Sequence, residues 1–336
     1  MRLVGTGQHA QSMEGLLREL ALPPLDSALD PRNRDITTIR EGLCWLLGAL
    51  SRILGGSSSV AEALGPPPGV CLVHGDTAST WLGTEAARRF GFRVGHLEAG
   101  LESGTVFAPF PEELIRRSVM RRADFLFAPG HWAAENIRRR GYPGQVVPLS
   151  ANTNLESLHL ALERLPETVM DQQFLLVSIH RLETIQRKDR LARLVEVLED
   201  CVRRIPVRFV VHSPTRRRLE KARLWERLER GQIQLLPPRT YPDFVRLLRD
   251  AAGVLTDGGS VQEECAYLGT PCLLWRAATE RPDGLGENVV LSRLQATAAN
   301  DFLNRLDELR RPRVPLASSP STEIVEFLIK TLAAEL

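Results

Sequence analysis

Five apolar runs in this chain stop abruptly at polar residues. Residues 70–74 lead into Gly75-Asp76-Thr77, and 94–97 into Glu98-Ala99-Gly100-Leu101. Residues 174–179 lead into His180-Arg181, 209–211 into His212, and 254–256 into Asp257-Gly258-Gly259. A short, continuously apolar run is the mark of a parallel strand buried on both faces. Open α/β sheets bind ligands outside the carboxyl ends of their strands, so the polar endings predict a site, and the pattern reads as an enzyme.

The runs recur in two series. The first places strands at about 70–74, 93–97, 124–128 and 145–148, with helical spacing over 79–90, 111–122 and 131–140. A second series begins near Gln173, with strands at about 174–179, 207–211, 233–236, 253–256 and 271–275. Two such series in succession predict an α/β protein of two doubly wound, Rossmann-like domains facing a cleft. The segment 151–172, with Pro166, separates them, giving expected domains at 1–165 and 166–318. Residues 319–336 are expected to form a C-terminal helix that packs back on the first domain. Ile324, Val325, Leu328 and Leu332 supply its apolar side.

Composition narrows the classes. At 336 residues the chain is long enough for two cores, and 43% hydrophobic with 25% charged residues is ordinary for a globular protein. A formal net charge of +2 points to neither nucleic acid nor a membrane surface as partner. The five cysteines (44, 71, 201, 265 and 272) contain no CxxC pair, which suits a reducing, cytoplasmic compartment. Met1 leads into Arg2-Leu3-Val4-Gly5 without the apolar core of a signal peptide, and the longest apolar stretch, 42–50, is too short to span a bilayer.

Each candidate residue has a bland reading beside the functional one. Asp76 or Thr77 could cap the helix that follows. Glu98, directly after an apolar strand, needs either a ligand or an arginine partner. Glu112 and Glu113 suit a helix start and stand four residues before Arg116 and Arg117. His180 and His212 each close a strand, where a satisfied core histidine is common. Gly258-Gly259-Ser260 between a strand and a helix is the best phosphate signal, since glycine admits close backbone approach and a helix N-terminus offers unpaired N–H groups. No set of His, Cys or carboxylates has metal-ligand spacing, so no metal is expected. The serine-hydrolase elbow, the Walker loop and the dinucleotide fingerprint are missing from the sequence.

Taken together and in order, several stretches resemble the UDP-N-acetylglucosamine 2-epimerase family. They are VHGDTAST (73–80), VGHLEAGLESG (94–104), PFPEELIRR (109–117), LVSIHRLET (176–184), LTDGGSVQEECAYLGTPCLL (255–274) and ATERPDGLGENVVLS (278–292). The resemblance implies the two-domain GT-B fold and an isomerase without a cofactor. It would be a cytoplasmic homodimer that interconverts UDP-GlcNAc and UDP-ManNAc for surface polysaccharide. It implies Asp76, Glu98, Glu112 and His180 as the catalytic group. It implies Arg116, Arg181, His212, Arg239, Phe244, Gly258, Gly259, Ser260, Glu264 and Arg281 as substrate contacts. Gln8-His9, in GTGQHA, resembles a motif tied to a regulatory nucleotide-sugar site.

The chain also departs from the family pattern. Members begin with a strand ending in GTRPE, whose Arg contacts nucleotide phosphates, and the sequence here starts at the following unit. Thr184 stands where the family has Asn, and Gly258 where it has Ser. Three rivals follow from the same residues. One is a hydrolysing relative that releases UDP and free ManNAc. Another is a catalytically weakened nucleotide-sugar binding protein. The third is a GT-B glycosyltransferase, which needs an acceptor groove for which the sequence offers no feature.

Overall fold

In a computed structural model, residues 1–30, 35–36, 38–102, 111–166 and 173–333 are described. Contacts divide the chain into two units, Met1–Leu149 and Ser150–Leu336. This division lies ahead of the expected boundary at 165. The reason is the helix Asn154–Glu163, whose Leu155, Leu158 and Ala161 are buried in a core shared with the second series of strands. Residues 167–172 of the expected linker, and 334–336 of the expected last helix, lie outside the described residues.

Among its described residues the first unit holds six strands. Strands β1 (Val4–Gly5) and β2 (Ser27–Ala28) form a parallel pair, while β3 (Val70–His74), β4 (Arg93–Leu97), β5 (Phe125–Pro129) and β6 (Gln145–Leu149) form a four-stranded parallel sheet in sequential order. Buried Val73, Val94, Leu126 and Ala128 face helices whose Val119, Met120, Ala134 and Ile137 complete that core. A second cluster, with Trp45, Ile53, Leu82 and Ala86, packs helix Ile39–Leu54 against helix Ala78–Arg89.

The second unit has one continuous sheet. Strands β7 (Leu175–Ser178), β8 (Val207–Val210), β9 (Gln234–Leu236), β10 (Gly253–Thr256), β11 (Cys272–Leu274) and β12 (Val289–Leu291) are all parallel, in the spatial order β12-β11-β10-β7-β8-β9. Numbered within the unit, that is the doubly wound order 3-2-1-4-5-6, in which the direction of winding reverses between β7 and β10. Their side chains are buried on both faces, Leu175 and Val177 in one cluster and Leu176 and Val254 in the other. Both units are therefore α/β and Rossmann-like, as the alternating runs predict. Among the described residues no single helix is long and apolar enough to cross a membrane.

Candidate active site

The second unit builds its polar centre at the reversal between β7 and β10. These strands pair in register, Ser178 against Thr256, so the residues after each emerge side by side. Thr256 fixes the turn by donating its hydroxyl to the Ser178 carbonyl (2.9 Å) and accepting the Gly258 N–H (3.0 Å). Asp257, fully buried, accepts the backbone N–H groups of His180 and Arg181, each at 3.0 Å, one on each carboxylate oxygen. Those bonds answer a charge whose burial would otherwise be costly. Its Oδ1 also lies 3.8 Å from Nδ1 of the half-exposed His180 ring.

His180 is crowded on two further sides. The His212 ring stands 5.2 Å away between centroids, and burial, then proximity to His180, holds the His212 pKa below its usual value. A Cβ at Gly258 would lie 3.3 Å from His180 Cε1, and one at Gly259 would lie 3.0 Å from both Arg281 Nε and Glu280 Oε1. A side chain at either position would have to push these neighbours aside. Gly258 caps helix Gly259–Leu268, whose first turn offers N–H groups and positive potential to an anion, with Ser260 exposed beside it.

The loop after β11 closes this centre. Glu280 accepts Arg181 at 3.0 Å and pairs with Arg276 at 2.8 Å. Burial pushes its carboxyl pKa up, but the two guanidiniums prevail and hold it at about 2. Arg281 bonds Glu263, which also accepts Asn152 (3.1 Å) and Asn154 (3.0 Å). Gln262 donates to the carbonyls of Arg281 and Asp283, both at 3.0 Å, and accepts the Thr279 hydroxyl at 2.8 Å. Glu264, buried, accepts the Tyr241 hydroxyl at 2.9 Å, and burial pushes its pKa up to about 7. Phe244 is half-buried on helix Tyr241–Asp250, and Arg239 is exposed in the loop before it.

The first unit gathers carboxylates instead. β3 and β4 pair with His74 opposite Leu97, which brings Gly75-Asp76 beside Glu98. A Cβ on Gly75 would lie 3.7 Å from Glu98 Oε2. Glu98 has φ +62, a left-handed conformation uncommon for a non-glycine residue and often kept where function requires it. The cap of helix Ala78–Arg89 is Thr77, whose side chain accepts the Thr80 N–H, so Asp76 is released from that role. Asp76 is bonded by Arg116, which also donates to Glu113 at 2.8 Å.

The expected i,i+4 pairing is therefore half right. Glu113 holds Arg117 (2.8 Å), but Arg116 turns from Glu112 to Glu113 and Asp76. Glu112, first residue of helix Glu112–Met120, is left with a buried Oε2 that has no hydrogen-bond partner among the described residues. Pro109 and Phe110 of the same motif lie outside the described residues. Below the turn, the fully buried His96 ring shares a 2.8 Å hydrogen bond with the Gly75 carbonyl through Nε2. Burial, then the nearby Arg116 and His74, lowers its pKa to about 4, so the ring is neutral and Nε2–H is the donor. Gln8 accepts the Ser79 hydroxyl at 2.8 Å, and His9 caps helix Ala10–Glu19 and bridges Asp35.

Asp76 and Glu98 thus come together beside the helix that begins with Glu112, and His180, Arg181, His212, Gly258, Gly259 and Arg281 come together in the second unit. The sequence reading passed over Asp257, Glu280, Tyr241 and His96. Asp257 was visible as a polar strand ending, whereas Glu280 sits in a loop without periodicity. No group of three His, Cys, Asp or Glu suited to a metal ion occurs among the described residues.

Comparison with known proteins gives a consistent result. A family model described as UDP-N-acetylglucosamine 2-epimerase matches residues 1–317. The UDP-N-acetylglucosamine 2-epimerase of Yersinia pestis is 30% identical over 324 residues, covering 92% of this chain and 82% of that protein. The enzyme of that name from Methanocaldococcus jannaschii is 31% identical over 277 residues, covering 78% and 75%. A crystal structure of Methanocaldococcus jannaschii UDP-GlcNAc 2-epimerase in complex with UDP-GlcNAc and UDP superposes with a TM-score of 0.79 at 26% identity, covering 98% of this chain and 91% of that one.

Proposed function

Because the chain belongs to the UDP-N-acetylglucosamine 2-epimerase family, we propose that it interconverts UDP-GlcNAc and UDP-ManNAc by eliminating and re-adding UDP. The observation that carries this reading is the group of Asp76, Glu98 and Glu112 in one unit, with a glycine-rich anion site at the sheet reversal of the other.

The chemistry explains the need for both. C2 of the sugar is not adjacent to a carbonyl, so its proton is too weakly acidic for direct removal. Breaking the C1–O bond to UDP places positive charge at C1, which acidifies the C2 proton and is stabilised by nearby carboxylates. A carboxylate then takes that proton, leaving 2-acetamidoglucal and UDP. Return of a proton to the opposite face of C2, with re-formation of the C1–O bond, gives the epimer, so proton-transfer groups must serve both faces. Glu112, with its unpartnered Oε2, is suited to carry a proton, and Asp76, bonded to Arg116, to hold charge.

The pyrophosphate of UDP is assigned to Gly258, Gly259 and Ser260 with His180, Arg181, His212 and Arg281. The base and ribose are assigned to Arg239, Phe244 and Glu264. Gln8 and His9 are assigned to regulation. We place the enzyme in the cytoplasm as a homodimer supplying UDP-ManNAc for surface polysaccharide. Its unpaired cysteines fit a reducing compartment, and Leu43, Leu47 and Leu54 expose an apolar stripe on one helix.

The test is to incubate the full chain with UDP-GlcNAc in D2O and follow the sugar by NMR. Expected is UDP-ManNAc carrying deuterium at C2. Free ManNAc with UDP identifies the hydrolysing rival instead, and no turnover with intact UDP binding identifies a binding protein.

A further inference from the structure

The buried carboxylate at the sheet reversal is more than a structural plug. We propose that Asp257 is a positioning residue for the reaction. It fixes the His180-Arg181 turn through both backbone N–H groups and takes the Nδ1–H of His180, so that a proton on Nε2 points at the departing pyrophosphate. The proposal rests on the epimerase reading, because it presumes that His180 meets the nucleotide.

Three observations support it. First, Asp257 spends one oxygen on each of two consecutive N–H groups, an arrangement that sets the direction in which the chain leaves β7. A neutral side chain cannot repeat it, since an amide would turn a donor against one of those N–H groups. Secondly, the same Oδ1 lies 3.8 Å from His180 Nδ1, within ion-pair reach. A carboxylate on Nδ1 holds the orientation of a histidine ring and stabilises its imidazolium, whose Nε2–H can then donate to an anion. Thirdly, the ring is packed on one side, where His212 stands 5.2 Å away, and Gly258 leaves open the space beside Cε1 that a Cβ would narrow to 3.3 Å.

The neighbours agree with a built device. Arg181, held by the other oxygen of Asp257, sends its guanidinium to Glu280, which Arg276 also holds. One carboxylate thus sets two adjacent residues that bear on an anion, one through a ring and one through an ion-paired guanidinium. Besides Asp257, the His212 ring stands against His180.

The experiment is a double-mutant cycle with an NMR readout on the full chain. The variants are Asp257→Asn, His180→Asn and both together, with kcat, KM and UDP affinity measured for each. Nitrogen shifts of the His180 ring, identified by its loss in His180→Asn, report the tautomer. Asp257→Asn should lower kcat roughly tenfold to a hundredfold, the usual cost of removing the group that orients a ligating histidine. In the His180→Asn background the same change should alter kcat by less than about threefold, the mark of action through one residue. Equal losses in both backgrounds would show that Asp257 only supports the fold. The tautomer of the wild-type ring is read without turnover and without any Asp257 variant, so it decides even if Asp257→Asn fails to fold. A proton on Nδ1 supports the proposal, and an unprotonated Nδ1 overturns it. If wild-type protein makes no UDP-ManNAc, the epimerase reading fails separately while the tautomer still reports on Asp257.

Discussion

The two units share an architecture but differ in the charged groups at their strand ends. In the second unit the sheet is continuous, and each carboxylate at its reversal has partners, although buried Trp275 Nε1 and Arg276 Nη1 beside it have no hydrogen-bond partner among the described residues. Asp257 holds two N–H groups, Glu280 two arginines, and Glu263 an arginine and two asparagines. In the first unit the strands fall into a pair and a quartet. Its site keeps a buried Glu112 oxygen and a buried His96 Nδ1 without hydrogen-bond partners among the described residues, and Glu98 in a left-handed conformation. The difference is one of groups offered: helix N–H groups and guanidiniums in the second unit, gathered carboxylates in the first. On the proposed function, the second would hold the anion and the first would move the proton.

The largest expected effects lie in the first unit. Asp76→Asn, Glu98→Gln and Glu112→Gln should each lower kcat by about 10²–10⁴-fold, the usual contribution of a general acid or base. Glu112→Gln is the sharpest of the three, because Glu112 does not pair with Arg116 and a structural role predicts little loss. Near-normal turnover in that variant, measured by coupled assay, would break the contrast from the catalytic side.

In the second unit the effect should fall on binding. Arg181→Ala removes a guanidinium from the anion site and leaves Glu280 with Arg276 alone. A charge-assisted hydrogen bond is worth about 1.5–3 kcal/mol, so UDP affinity should fall by roughly tenfold to a hundredfold in calorimetric titration. An unchanged affinity would remove Arg181 from the phosphate contacts.

The smallest effects concern pH. Glu280 has its pKa lowered to about 2, so the stability it contributes is present above the ordinary carboxylate range and is lost as pH falls through 2. Glu264 behaves oppositely. With its pKa raised to about 7, its contribution is complete below 4.5 and is lost as pH rises through 7. Thermal melts of Glu264→Gln should therefore lose part of the decline in stability between pH 4.5 and 7, whereas an unaltered profile would assign that decline elsewhere.

Much of this was legible in the sequence because buried parallel strands write themselves as apolar runs. Residues 70–74, 93–97 and 253–256 are strands as read, and the others shift only at their ends. Ser27–Ala28 and Val289–Leu291 escaped because two or three residues cannot show a period. Asp76 and Glu98 were found because strand endings mark them. The meaning of Asp257 was not, because it depends on the register of β10 against β7, with its hydrogen-bond partner His180 77 residues away. Arg116 chose Asp76 over Glu112 for a similar reason. Helical spacing offered a partner four residues back, but the tertiary fold brought one from 40 residues away.

The division of labour between the units is tested most directly by titrating UDP into the triple variant Asp76→Asn, Glu98→Gln, Glu112→Gln beside the wild type. The expected result is abolished epimerisation with a UDP dissociation constant within about threefold of the wild-type value, less than 1 kcal/mol. A loss of UDP affinity as large as the loss of turnover would contradict it, and would place nucleotide binding on the carboxylates as well.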